Sequence, residues 1–173
     1  DAEPAQHLIL IDPTGQSRTI DFAIRARDYR IERIDGISKR MMEPTADDLK
    51  RIRSEAEQAK RARQADSNLR NFLEPFDWPV VGRISGVYGS QRFFNGEPRR
   101  PHFGIDIAVP TGTPILAPAG GRVTLAHNGM FFSGKTLIID HGHGLSSSFL
   151  HLQKILVTLG EQVTKGQQIA TVG

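Results

Sequence analysis

The sequence predicts a mainly β protein, in which a small β-module and a connecting helix precede an antiparallel β-sandwich or barrel-like domain. Two observations support this fold class. Beyond residue 75, short β-branched segments follow one another between Gly and Pro residues, and no run of helical length and period occurs. Before residue 75, one stretch combines helical spacing with a capping signature. We therefore predict the β-module at 1–44, the helical segment at 45–74 and the β domain at 75–173.

The first 44 residues contain three short runs rich in aliphatic and aromatic side chains. They lie at 7–11, 19–24 and 29–34, and turn-forming residues at 12–15 and 27–28 separate them. This alternation of strand and turn signals predicts a small antiparallel β-module.

A helix start is encoded at Thr45. Threonine favours the N-cap position, and Asp48 stands three residues later, at the acidic position of a capping box. A thin stripe at helical spacing then runs through Leu49, Ile52, Ala56, Ala59 and Arg63. The other basic residues of the segment fall elsewhere on the helix. We interpret them as a solvated face rather than a polyanion-binding face.

The rest of the chain divides into short predicted strands. They lie at 83–87, 102–107, 114–116, 121–127, 135–140, 145–151, 162–163 and 168–172. Between the first two, a loop is predicted to carry Arg92, Asn95, Arg99 and Arg100, either beside a cleft or in solvent.

The composition excludes several kinds of site and partner. No cysteine is present, so disulfides and thiolate metal ligands are ruled out. The net charge of +3 is mildly basic, but no nucleic-acid-binding motif occurs, so we expect no nucleic-acid partner. No stretch reaches the roughly 18 to 20 apolar residues of a bilayer span, and we expect no transmembrane segment. A nucleophile elbow is also absent from the sequence, which leaves covalent catalysis little support.

His102 and Asp106 are the leading candidates for a functional site. An imidazole and a carboxylate are two of the three protein ligands that a catalytic zinc typically takes. On an ideal strand their Cα atoms would lie roughly 13 Å apart, since each residue adds about 3.3 Å. Gly104 lies between them and permits a bend. We therefore expect the pair to share one metal only if the chain bends at this glycine.

The other histidines give weaker signals. His151 alternates with apolar neighbours at 148–152, a pattern more typical of a core residue than of a catalyst. His141 and His143 form a His-x-His pair among glycines, which predicts exposed histidines at a hairpin turn without a functional role.

The order of several motifs resembles a known family. Residues from about 78 to 173 resemble the LytM or lysostaphin-like zinc metallopeptidases of family M23. The resemblance rests on Gly-Val-Tyr-Gly at 86–89, His-Phe-Gly-Ile-Asp at 102–106, Ile-Asp-His-Gly at 139–142 and Phe-Leu-His-Leu at 149–152. It also covers the segments 114–123 and 163–169.

The resemblance implies roles for three residues. His102 and Asp106 match two zinc ligands of the family, and His151 matches a catalytic histidine. The family draws its third ligand from a later His-x-His, which is expected beyond Gly173. The segment ending at Gly173 is therefore expected to bind Zn²⁺ weakly and to be inactive on its own.

The implied function is a zinc-dependent endopeptidase that hydrolyses peptide bonds of bacterial cell-wall peptidoglycan. Its implied location is the bacterial cell envelope, either periplasmic or secreted. The alternative is a non-catalytic LytM-like protein that binds the cell wall or activates an amidase. Members of that kind usually lose zinc ligands, so the presence of His102, Asp106 and His151 favours the enzyme.

Overall fold

The computed structural model describes residues 5–25 and 27–173. Residues 1–4, where the predicted β-module begins, and residue 26 lie outside this description. The strands are β1 (Ala5–Ile11), β2 (Ser17–Ala23), β3 (Ile31–Ile34), β4 (Arg83–Gly86), β5 (Gln91–Phe94), β6 (Glu97–Pro98), β7 (Asp106–Ala108), β8 (Pro114–Leu116), β9 (Gly121–Met130), β10 (Gly134–Gly142), β11 (Leu145–Ile155), β12 (Gln162–Val163) and β13 (Gln168–Val172). The helices are α1 (Lys39–Met42) and α2 (Ala46–Arg63), and a 3-10 turn follows at Asn71–Leu73. The predicted mainly β class is confirmed.

The N-terminal strands do not form one antiparallel module. β1 and β2 pair as an antiparallel hairpin, with Leu8 opposite Ile20. β3 instead pairs in parallel with β5, placing Glu32 beside Arg92. The third strand was predicted to pair within the N-terminal antiparallel module, and this prediction was wrong. No strand was predicted at 91–94, although the Asn95-Gly96 turn that follows is a hairpin signal, so the partner of β3 was not anticipated.

Helix α2 begins as predicted, with a capping box. The Asp48 backbone N–H donates to Thr45 Oγ1 at 3.2 Å, and the Thr45 N–H donates to Asp48 Oδ2 at 3.3 Å. These contacts satisfy two N–H groups that a helix end otherwise leaves unpaired.

The packed face of α2 is rotated from the predicted stripe. Leu49 and Ala56 are exposed, whereas the side chain of Glu55 is buried. The small residues Ala59 and Ala62 let the helix approach the sheet, where they join a cluster with Leu125, Met130 and Ile138. Glu55 is tolerated inside because its carboxylate accepts from the Phe131 N–H at 2.7 Å and from Arg51 Nε at 2.7 Å.

A six-stranded antiparallel sheet forms the core of the molecule, in the order β12-β9-β10-β11-β13-β8. Successive residues of its central strand β10 point to opposite faces. Ile138 faces α2, while Leu137 and Ile139 enter the larger core with Val123 and Ile169. Both faces of β10 are therefore covered.

The predicted strands at 114–116, 162–163 and 168–172 have the observed bounds, and those at 121–127, 135–140 and 145–151 extend further than expected. The strand expected at 102–107 is wrong in its first half, because only Asp106–Ala108 is extended and paired. β5 and β6 were not predicted.

None of the helices within the described residues has the length and apolar character that crossing a bilayer requires.

Candidate metal centre

His102 and Asp106 come together at a bend. Residues 102–105 lie outside the strands, the chain bends at Gly104, and β7 begins at Asp106. The Nε2 atom of His102 lies 3.3 Å from Asp106 Oδ1. The local geometry thus places an imidazole nitrogen and a carboxylate oxygen side by side, as the bend at the glycine was expected to allow.

His102 is held in one orientation. Its Nδ1 atom lies 3.2 Å from the carbonyl oxygen of Val87, and only 13% of its side chain is exposed. Its backbone is fixed as well, since its N–H donates to Ser90 O at 2.9 Å and its carbonyl accepts from the Gly89 N–H at 2.7 Å. A proton on Nδ1 that bonds Val87 leaves the lone pair on Nε2, which is the arrangement of a metal-binding histidine.

The two oxygens of Asp106 have different neighbours. Oδ1 faces His102, whereas Oδ2 accepts a hydrogen bond from Arg92 Nη2. Gly86 lies opposite Asp106 on β4, and a Cβ at this glycine would press on both partners, 3.0 Å from Arg92 Nη2. The absence of a side chain at Gly86 therefore makes room for the Asp106–Arg92 pair.

Arg92 also contacts the N-terminal part of the chain. Its Nε donates to Glu32 Oε2 at 3.1 Å, and 20% of the Arg92 side chain is exposed. Burial raises the pKa of the Glu32 carboxyl, but the hydrogen bonds from Arg92 and Ser90, together with the charge of Arg92, lower it, and the net pKa is below its ordinary value. The prediction of Arg92 as a loop residue was wrong, because it lies in β5 and links two carboxylates.

The other three residues of the predicted loop do not join this pair. Asn95 sits at the β5–β6 turn, where its side chain bonds the backbone of Ile37, and Arg99 pairs with Glu97 at 2.8 Å. Arg100 is exposed.

The donor set fits a tetrahedral zinc. With bonds of about 2.0 to 2.1 Å and tetrahedral angles, two ligand atoms are separated by about 3.3 Å. The same separation is observed between His102 Nε2 and Asp106 Oδ1. Among residues 5–25 and 27–173, however, no three His, Cys, Asp or Glu side chains are grouped as a metal cluster. The described residues thus provide two adjacent ligand atoms.

His151 is exposed on β11 and has an unusual backbone. Its φ of 56° lies in the left-handed region, which a non-glycine residue adopts at a cost. One extra residue in β11 relative to β10 occurs here, between the pairs Lys135–Leu152 and Leu137–Phe149. This bulge turns the histidine outward, so the expectation of a core residue was wrong. No hydrogen bond or ion pair in the described part of the chain joins it to His102 or Asp106.

The His-x-His pair divides into two different environments. His143 is exposed at the hairpin turn, as predicted. His141 is fully buried, with Nδ1 2.6 Å from Gly120 O and Nε2 2.9 Å from Ser147 Oγ. Both of its ring nitrogens are engaged, so the expectation of an exposed His141 was wrong and its role is structural.

Comparison with known proteins points to the same region. The sequence profile of peptidase family M23 matches residues 100–173, which include His102, Asp106 and His151. The fold is similar to the crystal structure of a Pseudomonas aeruginosa protein assigned to peptidase M23, with a TM-score of 0.72 and 35% identity. That similarity covers 98% of this chain and 61% of the other. Residues 100–173 therefore match peptidase family M23, and this match covers less than half of the chain.

Two curated relatives are similar over about half of the chain. Peptidoglycan DD-endopeptidase ShyA of Vibrio cholerae is 38% identical over 92 residues, which are 53% of this chain and 21% of the relative. Murein hydrolase activator NlpD of Escherichia coli is 35% identical over 101 residues, which are 58% of this chain and 25% of the relative. The chain spans a quarter or less of each relative, and their names assign one a cleaving and the other an activating function.

Proposed function

We propose that this chain is part of a zinc-dependent endopeptidase that hydrolyses peptide bonds of bacterial peptidoglycan. The observation that supports it most directly is the 3.3 Å separation of His102 Nε2 and Asp106 Oδ1, with the second polar atom of each side chain already occupied by the protein. These two residues would hold the zinc, together with a third protein ligand from outside the described residues. When bound, zinc polarises a peptide carbonyl and lowers the pKa of a coordinated water toward about 7.

The chain's own residues would orient the ligands and move a proton. Val87 fixes the tautomer of His102, and Arg92 holds Asp106 Oδ2 so that Oδ1 remains available. We assign to the exposed imidazole of His151 the role of stabilising the developing oxyanion or transferring a proton. The peptidoglycan substrate, and a location in the bacterial cell envelope, either periplasmic or secreted, are proposed from the names of the two curated relatives.

The second candidate is a non-catalytic protein that binds the cell wall or activates an amidase. The similarity to a murein hydrolase activator, at an identity close to that of the endopeptidase, favours it. The two candidates differ in whether the protein itself breaks a peptide bond.

The test uses the full-length protein, loaded with zinc, on purified peptidoglycan, with the released fragments identified by mass spectrometry. The endopeptidase proposal predicts cleaved peptide bonds in the wild type and none in His151→Ala, with zinc content unchanged. His143→Asn is a matched control, because His143 is exposed and has a left-handed φ of 50°, which Asn tolerates. Zinc-loaded protein that cleaves nothing but accelerates an added amidase would establish the activator instead.

A further inference from the structure

The geometry points to Glu32 and Arg92 as positioning residues of the metal site, through which strand β3 of the N-terminal segment orients the ligand Asp106. This inference rests on the proposed metal site. It assigns a task to a part of the chain that precedes the M23 match at 100–173.

Arg92 joins the two carboxylates with different nitrogens. Nε donates to Glu32 Oε2 at 3.1 Å, and Nη2 donates to Asp106 Oδ2. A guanidinium suits this task because its donors form a rigid planar fork, whereas a lysine ammonium has no such geometry. Rotation of Asp106 would break the Arg92 contact, so the contact keeps Oδ1 directed toward His102.

Glu32 offsets the charge of Arg92. Without Glu32, the positive charge of Arg92 would make the electrostatic potential at Asp106 less negative. It would also repel the Zn²⁺ ion that Asp106 has to bind. Glu32 is only 23% exposed and Arg92 20%, so solvent screens this pair incompletely. With Glu32 present, the three side chains together carry one net negative charge, as Asp106 would carry alone.

The backbone fixes Glu32 in place. β3 pairs in parallel with β5 over four residues, and the Gln91 N–H donates to Arg30 O at 2.8 Å. The segment is held at its far end by Asn95, whose side chain bonds both the N–H and the carbonyl of Ile37. Glu32 is therefore held against Arg92 by the strand as well as by its own side chain, and the site is assembled from segments 60 residues apart.

The test is a double-mutant cycle on the full-length protein, read out as zinc affinity by competition with a chromophoric chelator. Glu32→Gln is expected to weaken zinc binding about 10-fold, the lower end of the range for outer-shell partners. In an Arg92→Gln background, the same Glu32→Gln change is expected to have little further effect, because Glu32 acts through Arg92. Glu97→Gln is the control, since it removes a carboxylate from the Arg99 pair in the same small sheet.

A second measurement separates positioning from general destabilisation. Co²⁺ substituted for zinc is expected to change its visible absorption in Glu32→Gln but not in Glu97→Gln, while far-UV circular dichroism stays the same in both. Unchanged zinc affinity in Glu32→Gln, or an equal loss in the Arg92→Gln background, overturns the inference and leaves the metal site standing. A wild-type protein that binds no zinc overturns the proposed function, and the inference with it.

Discussion

Replacing Gly86 by alanine would place a methyl group against the Asp106–Arg92 pair. On the observed backbone the added Cβ would lie 3.0 Å from Arg92 Nη2 and 3.1 Å from Asp106 Cγ, and closer still to Asp106 Oδ2. Non-bonded heavy atoms are most stable at about 3.5 to 4.0 Å, so the carboxylate has to move by roughly 1 Å.

A displacement of that size exceeds what a zinc ligand tolerates, since metal–ligand distances in working sites vary by only about 0.2 Å. We expect Gly86→Ala to weaken zinc binding by about 10- to 100-fold, which corresponds to about 1.4 to 2.7 kcal/mol. Overpacking destabilises the fold by about 1 to 3 kcal/mol. Replacing a glycine within a strand by alanine stabilises it by about 0.5 to 1 kcal/mol, because alanine loses less conformational freedom on folding. The free energy of unfolding is therefore expected to fall by about 0 to 2.5 kcal/mol.

Chelator competition on the full-length protein measures the zinc affinity, and thermal unfolding measures the stability. Gly129→Ala is the matched control, because an added Cβ there would meet nothing within 4 Å. If Gly86→Ala binds zinc as tightly as the wild type and the control, then Asp106 does not contribute to metal binding from the observed position.

Two further predictions concern the buried carboxylates of helix α2. Glu55→Ala removes the acceptor of Phe131 N–H and Arg51, and should lower the free energy of unfolding in urea by about 1 to 3 kcal/mol; an unchanged midpoint would contradict its buried role. For Asp48, the Arg40 hydrogen bonds hold the pKa of the carboxyl far below its ordinary 3.8. The stabilisation that ionised Asp48 gives the folded protein is therefore complete above the ordinary pKa of 3.8. It is lost as the pH falls from there toward the lower pKa of the folded state. Asp48→Asn should flatten the loss of stability in acid, and equal acid slopes in both proteins would refute this.

Local signals were enough to predict much of the fold. The capping box at Thr45 and Asp48 was visible in the sequence because its partners are three residues apart. The strands of the central sheet were visible because β-branched runs alternate with Gly and Pro. Within the candidate site, the proximity of His102 and Asp106 was foreseeable because only the bend at Gly104 had to be assumed.

Contacts between distant segments could not be predicted in this way. β5 has only four residues, and although the Asn95-Gly96 turn marks its hairpin with β6, no local signal marks its parallel pairing with β3. Glu32 and Arg92 meet across 60 residues, and the sequence predicted Arg92 only as a loop residue, beside a cleft or in solvent. The burial of His141 depends on its two hydrogen-bond partners, which come from other elements. Gly86 leaves room for the contact between Arg92 and Asp106. This role can be recognised only when Asp106 is known to lie opposite Gly86.

Zinc content, measured by elemental analysis of the purified full-length protein, tests the central claim most directly. Two adjacent ligand atoms at His102 and Asp106 predict about one zinc per chain in the wild type and loss of that zinc in His102→Ala. Peptidoglycan hydrolysis should disappear in the same variant. Stoichiometric zinc in His102→Ala would show that the metal is held elsewhere and would contradict the assignment of this site.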